Sequence, residues 1–150
     1  MNQAQMTAAT SGAGFAGDAL PFDDLREPRD PPFVVREGVV YLRGSKSRSS
    51  GSQAFPERRV CLDTGACDME PFLFGPRGTL YSYTTVHVSS SRSVPYTLGY
   101  VDFPNGVRVL AHVRESGTGV PAACDQPVEL RAEGASWYVV PVAAREEGVK

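Results

Sequence analysis

Lysine, histidine and cysteine are scarce in this chain. All but two of its fifteen basic residues are Arg, and Lys occurs only at Lys46 and Lys150. Seventeen acidic residues outweigh them, giving a formal net charge of −2 and a pI near 5.7. No positive excess is left to hold a nucleic-acid backbone non-specifically. Two histidines, His87 and His112, leave little material for proton transfer. The three cysteines, Cys61, Cys67 and Cys124, are odd in number and show no repeated spacing, so they form no disulfide framework. No apolar run approaches the roughly 18–20 residues of a membrane span. The first twenty residues lack the charged and apolar regions of a secretory leader. A cytoplasmic protein that binds neither membrane nor nucleic acid is therefore expected. A P-loop, a dinucleotide fingerprint, a G-x-S-x-G elbow and paired carboxylates are all missing.

Glycine and proline, by contrast, are plentiful, with 15 and 12 copies in 150 residues. That is too much punctuation for a helical bundle. Residues 1–31 are low in large apolar side chains and then rich in Pro and charge, which predicts a flexible tail. The charged residues 144–150 predict a second, short one. Phe33–Val35 and Val39–Leu42 flank Arg36-Glu37-Gly38 and read as a small hairpin. Residues 43–59 show no periodicity of either kind and carry Arg43, Lys46, Arg48, Arg58 and Arg59 amid many Ser, so a solvated basic loop is expected there.

Alternation is strongest between 78 and 113. Leu80, Ser82, Thr84, Val86 and Val88 alternate with Tyr81, Tyr83, Thr85 and His87, the pattern of a long strand. Residues 95–103 form a second strand, and Asn105-Gly106 turns the chain into a third at Val107–Val113. Two more are expected at Pro127–Arg131 and Ser136–Pro141. Five short antiparallel strands hide their edges best by closing, which predicts an all-β, five-stranded OB-type barrel over residues 74–143, with a β-sandwich as the alternative. Gly78 and Gly99 are expected at bends or close approaches.

The order of segments carries a family likeness. Ser47-x-x-Ser50-Gly51, Ala54-Phe55-Pro56 and Cys61-x-x-Thr64-Gly65 follow the outline of a CxxCG…FP…CxxCG ribbon over residues 32–73. The barrel opens with Gly78-Thr79-Leu80-Tyr81-Ser82 and continues with Pro95-Tyr96, Val101-Asp102 and Gly106-Val107-Arg108. Together these segments resemble the acyl-CoA-associated OB-fold family with an N-terminal rubredoxin-like zinc ribbon, the domain-of-unknown-function family numbered 35. The resemblance implies a small accessory subunit of a thiolase-superfamily enzyme (a thiolase, a lipid-transfer-protein-like aldolase or an acyltransferase). Such a subunit stabilises its partner and helps shape the acyl-CoA site, often in a degradation pathway.

At the metal the chain departs from that pattern. Of the four ligand positions Ser47, Ser50, Cys61 and Thr64, only Cys61 keeps a thiol, and neutral hydroxyls are poor zinc ligands. A ribbon without zinc is expected, held by packing of Phe55, Val60, Phe72 and Phe74. Arg43, Lys46, Arg48, Arg58 and Arg59 are the candidate contacts to CoA phosphates or to an acidic partner. The chain alone is expected to bind no cofactor, with a CoA thioester shared at the partner interface. Asp102, His87 and His112 read as structural, and Tyr81, Tyr83, Tyr96 and Tyr100 as packing or interface residues. A free-standing acyl-CoA hydrolase and a single-stranded nucleic-acid OB module are the alternatives.

Overall fold

The computed structural model describes residues 30–104, 106–115 and 119–144. The two predicted tails fall almost wholly outside them. Among the described residues every regular element is a strand.

Residues Pro31–Lys150 form one unit. It begins with a four-stranded antiparallel sheet. Strand β1 (Phe33–Arg36) turns at Glu37-Gly38, both with positive φ, into β2 (Val39–Ser47). Strands β3 (Gln53–Ala54) and β4 (Met69–Phe74) both pair with β2. The hairpin is as expected, but the basic loop is not. β2 runs on through Ser45 and Ser47, whose small hydroxyls point inward and are fully buried. Polar inward residues erase the hydrophobic alternation that would have marked the strand. β4 escaped notice for another reason: Pro71 interrupts it. A proline is tolerated there because β4 pairs on one side only, with β2.

The second part is a closed barrel of β5 (Arg77–Val86), β6 (Tyr96–Phe103), β7 (Val107–Val113), β8 (Gln126–Glu133) and β9 (Ser136–Pro141). Its order is β5-β6-β7-β9-β8, closing back onto β5, with β7 and β9 parallel. The OB barrel is thus the fold, and the sandwich is not. β5 is long because it serves two neighbours: residues 77–80 pair with β8 and residues 79–86 with β6, so Thr79 and Leu80 have partners on both sides. A register shift between Leu80 and Ser82 marks the handover and displaces Tyr81. β5 ends at Val86, so His87 and Val88 lie beyond it, and Val88 is 89% exposed.

Burial alternates cleanly along β7, where Val107, Val109, Ala111 and Val113 face in and Arg108 and Leu110 face out. Gly99 and Gly78 are close-approach positions. A Cβ on Gly99 would stand 2.6 Å from a Leu80 methyl and 3.0 Å from the Ser82 carbonyl oxygen, and one on Gly78 2.8 Å from the Asp102 carbonyl oxygen. Sheet and barrel share one hydrophobic cluster, in which Phe33, Val40, Leu42 and Phe74 join Leu80, Val101, Leu130 and Val139. Phe55 and Phe72 pack against it, but Val60 does not, being 43% exposed at the surface.

Candidate functional site

The two turn motifs of the N-terminal sheet meet in space. Ser47 ends β2, and the turn after it returns through Ser50 to β3. The turn Cys61–Gly65 closes on itself, with Gly65 N donating to the Cys61 carbonyl and Cys61 N to the Ala66 carbonyl, each at 2.9 Å. Ser50 Oγ lies 3.5 Å from Cys61 Sγ. The hydroxyl of Thr64, the hydroxyl of Ser50 and the Thr64 and Asp63 amides all point at the sulfur, and together they lower the Cys61 thiol to about 6. Donors aimed at a sulfur favour its thiolate.

Asp68 completes the cluster. Ser47 Oγ donates to both its carboxylate oxygens, at 3.0 and 3.1 Å, and Ser49 N donates at 2.8 Å. The hydroxyl and amide of Ser49, with Ser47, hold the Asp68 carboxyl below its usual range. Ser47 Oγ in turn accepts from Ser50 N at 3.2 Å. All four ribbon positions, Ser47, Ser50, Cys61 and Thr64, therefore stand together, bound by hydrogen bonds around one thiol and one carboxylate. This donor set does not fit zinc. Three of the four positions are neutral hydroxyls already engaged as hydrogen-bond donors, and a structural site needs four strong ligands. Among the described residues, no three of His, Cys, Asp and Glu gather around a common point.

The five basic candidates are spread along this sheet rather than gathered. Arg43 and Lys46 sit on β2, Arg48 in the turn after it, and Arg58 and Arg59 in the exposed segment beyond β3. Arg48 pairs with Glu70 at 3.2 Å, Arg43 approaches Glu57 at 4.0 Å, and the Lys46 ammonium lies 5.7 Å from the Phe72 ring. Arg58 is anchored through its backbone, whose N–H donates to the buried Ser45 hydroxyl at 2.9 Å.

The outer face of β5, β6 and β7 carries a different surface. Tyr100 and Leu110 face each other across the β6–β7 ladder, and both are about half exposed, like Tyr81 beside them. Arg108 lies 3.5 Å over the Tyr81 ring and grips Asp102 with two hydrogen bonds of 2.6 and 2.8 Å. Arg108 holds the Asp102 carboxyl below its usual range and is itself held protonated. Tyr83 turns the other way, opposite Gly99, toward the barrel's open end.

Neither histidine is set up for nucleophilic catalysis. His87 is exposed beyond β5. His112 Nε2 meets Arg92 Nη1, a cation where a nucleophile's hydroxyl or thiol would have to be. Burial, then the charges of Arg92 and Arg114, push His112 below its ordinary value.

Residues 73–133 match the family described as ChsH2, C-terminal OB-fold domain. The stretch matched spans most of the barrel, from the end of β4 through β8. The wider chain is 28% identical over 109 residues to the benzoylsuccinyl-CoA thiolase subunit BbsA of Geobacter metallireducens, covering 72% of this chain and 68% of that subunit. Two solved structures share the fold. The Ltp2-ChsH2(DUF35) aldolase superposes with a TM-score of 0.51 at 19% identity, covering 67% of this chain and 82% of that one. A DUF35-family protein of unknown function from Sulfolobus solfataricus gives 0.52 at 16% identity, covering 68% and 76%. The likeness read from the barrel motifs is thereby borne out. Sequence reasoning missed Asp68, the carboxylate that the ribbon hydroxyls converge on. It stands 21 residues from Ser47, outside any ligand spacing, and only the pairing of β2 with β4 brings it near.

Proposed function

We propose that this chain is a non-catalytic accessory subunit of a thiolase-superfamily enzyme acting on an acyl-CoA. The observation that carries this reading is the match to BbsA, a thiolase subunit, which extends over 109 residues. Among the described residues no nucleophile, base and acid stand together. The nucleophile and base accordingly belong to the partner. In this reading the outer face of β5–β7, with Tyr81, Tyr100 and Leu110 exposed, meets the partner, since aromatic residues on a half-polar face are typical of such contacts. Arg58 and Arg59, with Arg43, Lys46 and Arg48 along the same sheet, meet CoA phosphates or acidic groups of the partner. The N-terminal sheet folds without zinc. The exposed free thiols of Cys67 and Cys124 suit a reducing, cytoplasmic setting.

Co-expression with the thiolase-like protein of the same pathway tests the proposal. Co-purification, together with partner activity that needs this chain, is the expected result. Leu110→Asp, a surface change, is expected to break the complex while leaving the isolated chain's melting unchanged. A partner that folds and works equally well alone would refute the proposal. Thioester turnover by the isolated chain would replace it with the hydrolase reading.

A further inference from the structure

The barrel's open end, between the loop after β5 and the start of the loop after β7, holds a cavity of about 740 Å³. Its charge is unusual for an acidic chain. Arg92 and Arg114 both line it, and both act electrostatically on His112 between them. Arg114 is held in place: one of its nitrogens donates to Glu133 at 2.6 Å, and its guanidinium lies 4.2 Å over the Tyr138 ring. A guanidinium carries five N–H donors, so this leaves others to spend. Arg92 differs. Its side chain meets only His112, so among the described residues no carboxylate neutralises it. Thr85 and Thr97 add a pair of hydroxyls 3.1 Å apart on the wall, and the Tyr96 ring tilts against His112 at 5.7 Å. Glu115 is the acidic group on the lining.

With Arg114 paired to Glu133, Arg92, which donates to a neutral imidazole, is the arginine on this lining that no carboxylate partner meets among the described residues. We propose that the barrel mouth binds an oxyanion, the carboxylate or phosphate group of an organic ligand, between Arg92 and Arg114. Planar guanidinium groups match both oxyanions through paired N–H donors. A bound anion also changes His112. Its negative charge offsets that of Arg92 and Arg114, so the imidazole takes up a proton more readily and becomes a further donor. Glu115, Tyr83 and Tyr96 are the other titratable side chains that line the cavity beside the two arginines. This site is separate from the basic residues of the N-terminal sheet and does not depend on which enzyme the chain accompanies.

Imidazole NMR on the full chain tests it, with His87 as an internal control. Inorganic phosphate and succinate are titrated separately at constant ionic strength against sodium chloride. Saturable shifts of His112 with phosphate, succinate or both are expected, with its midpoint rising and His87 unmoved; the arm that saturates identifies the oxyanion. Arg92→Gln is expected to weaken binding about tenfold, the usual scale for losing one charge-assisted contact. His112 shifts that merely follow the chloride control overturn the proposal. So does undiminished binding by Arg92→Gln.

Discussion

Leu130 lies where sheet and barrel share their core. It is 2% exposed, and one of its methyl groups lies where a Cβ on Gly75, in the β4–β5 link, would have to go, at 2.5 Å. Leu130→Ala removes three carbons. At ~0.8 kcal/mol per methylene the transfer loss is about 2.4 kcal/mol. A residual cavity raises the cost to about 3 kcal/mol, inside the range for buried leucines. For a unit the size of Pro31–Lys150, an unfolding entropy of ~2.1 cal/mol/K per residue gives about 0.25 kcal/mol/K, so the midpoint falls by about 12 °C. Calorimetry reads the shift. Hydrogen exchange at Leu42 and Phe74, in the N-terminal sheet, reads whether it is shared. Because these residues lie in the same cluster as Leu130, their amides should lose protection together with those of the barrel. A fall of less than ~4 °C, or two separate calorimetric transitions, would show that sheet and barrel do not share a core.

Three further outcomes are expected. Gly99→Ala forces a methyl against Leu80, Val113 and the Ser82 carbonyl, and should cost about 1–3 kcal/mol by denaturant melting; an unchanged midpoint contradicts the close approach. The Cys61 thiol, near 6 when folded and near 9 when free, binds its proton less readily in the native state. Its contribution to stability is therefore complete above about pH 9 and lost as pH falls through about 6. In a Cys67→Ser, Cys124→Ser background, thiolate absorbance should show a midpoint near 6 that Thr64→Val raises, whereas a wild-type midpoint near the free value would count against the hydrogen-bonded thiolate. Finally, metal analysis should find no stoichiometric zinc, and a chelator should leave the melting midpoint in place; a chelator-sensitive melt would reverse that reading.

The barrel was legible because its strands obey one rule: inward residues are apolar and outward ones are not. Val107, Val109, Ala111 and Val113 announce β7 without help from the rest of the chain. The N-terminal sheet breaks the rule. Its inward Ser45 and Ser47 make hydrogen bonds to Arg58 N and Asp68 rather than apolar contacts, so the second half of β2 looked like loop. β4 was hidden by Pro71 and by the charge of Glu70. At the site, the spacing of Ser47, Ser50, Cys61 and Thr64 pointed to a cluster, and they do stand together. What spacing could not reveal was partnership across strands. Asp68 reaches Ser47 through the β2–β4 register, and Arg92 reaches His112 from a Ser-rich loop with no pattern of its own.

The contact between Phe55 and Trp137 has a practical side. Trp137 is the chain's single tryptophan, and the Phe55 ring meets it edge-on at 5.8 Å, with an angle of 88° between the planes. Phe55 follows β3 of the N-terminal sheet, and Trp137 belongs to β9 of the barrel. The seam between the two parts thus carries the molecule's only indole fluorophore. Its emission is a native optical gauge of that seam, legible without a label in the purified chain, at equilibrium or in a stopped-flow mixer.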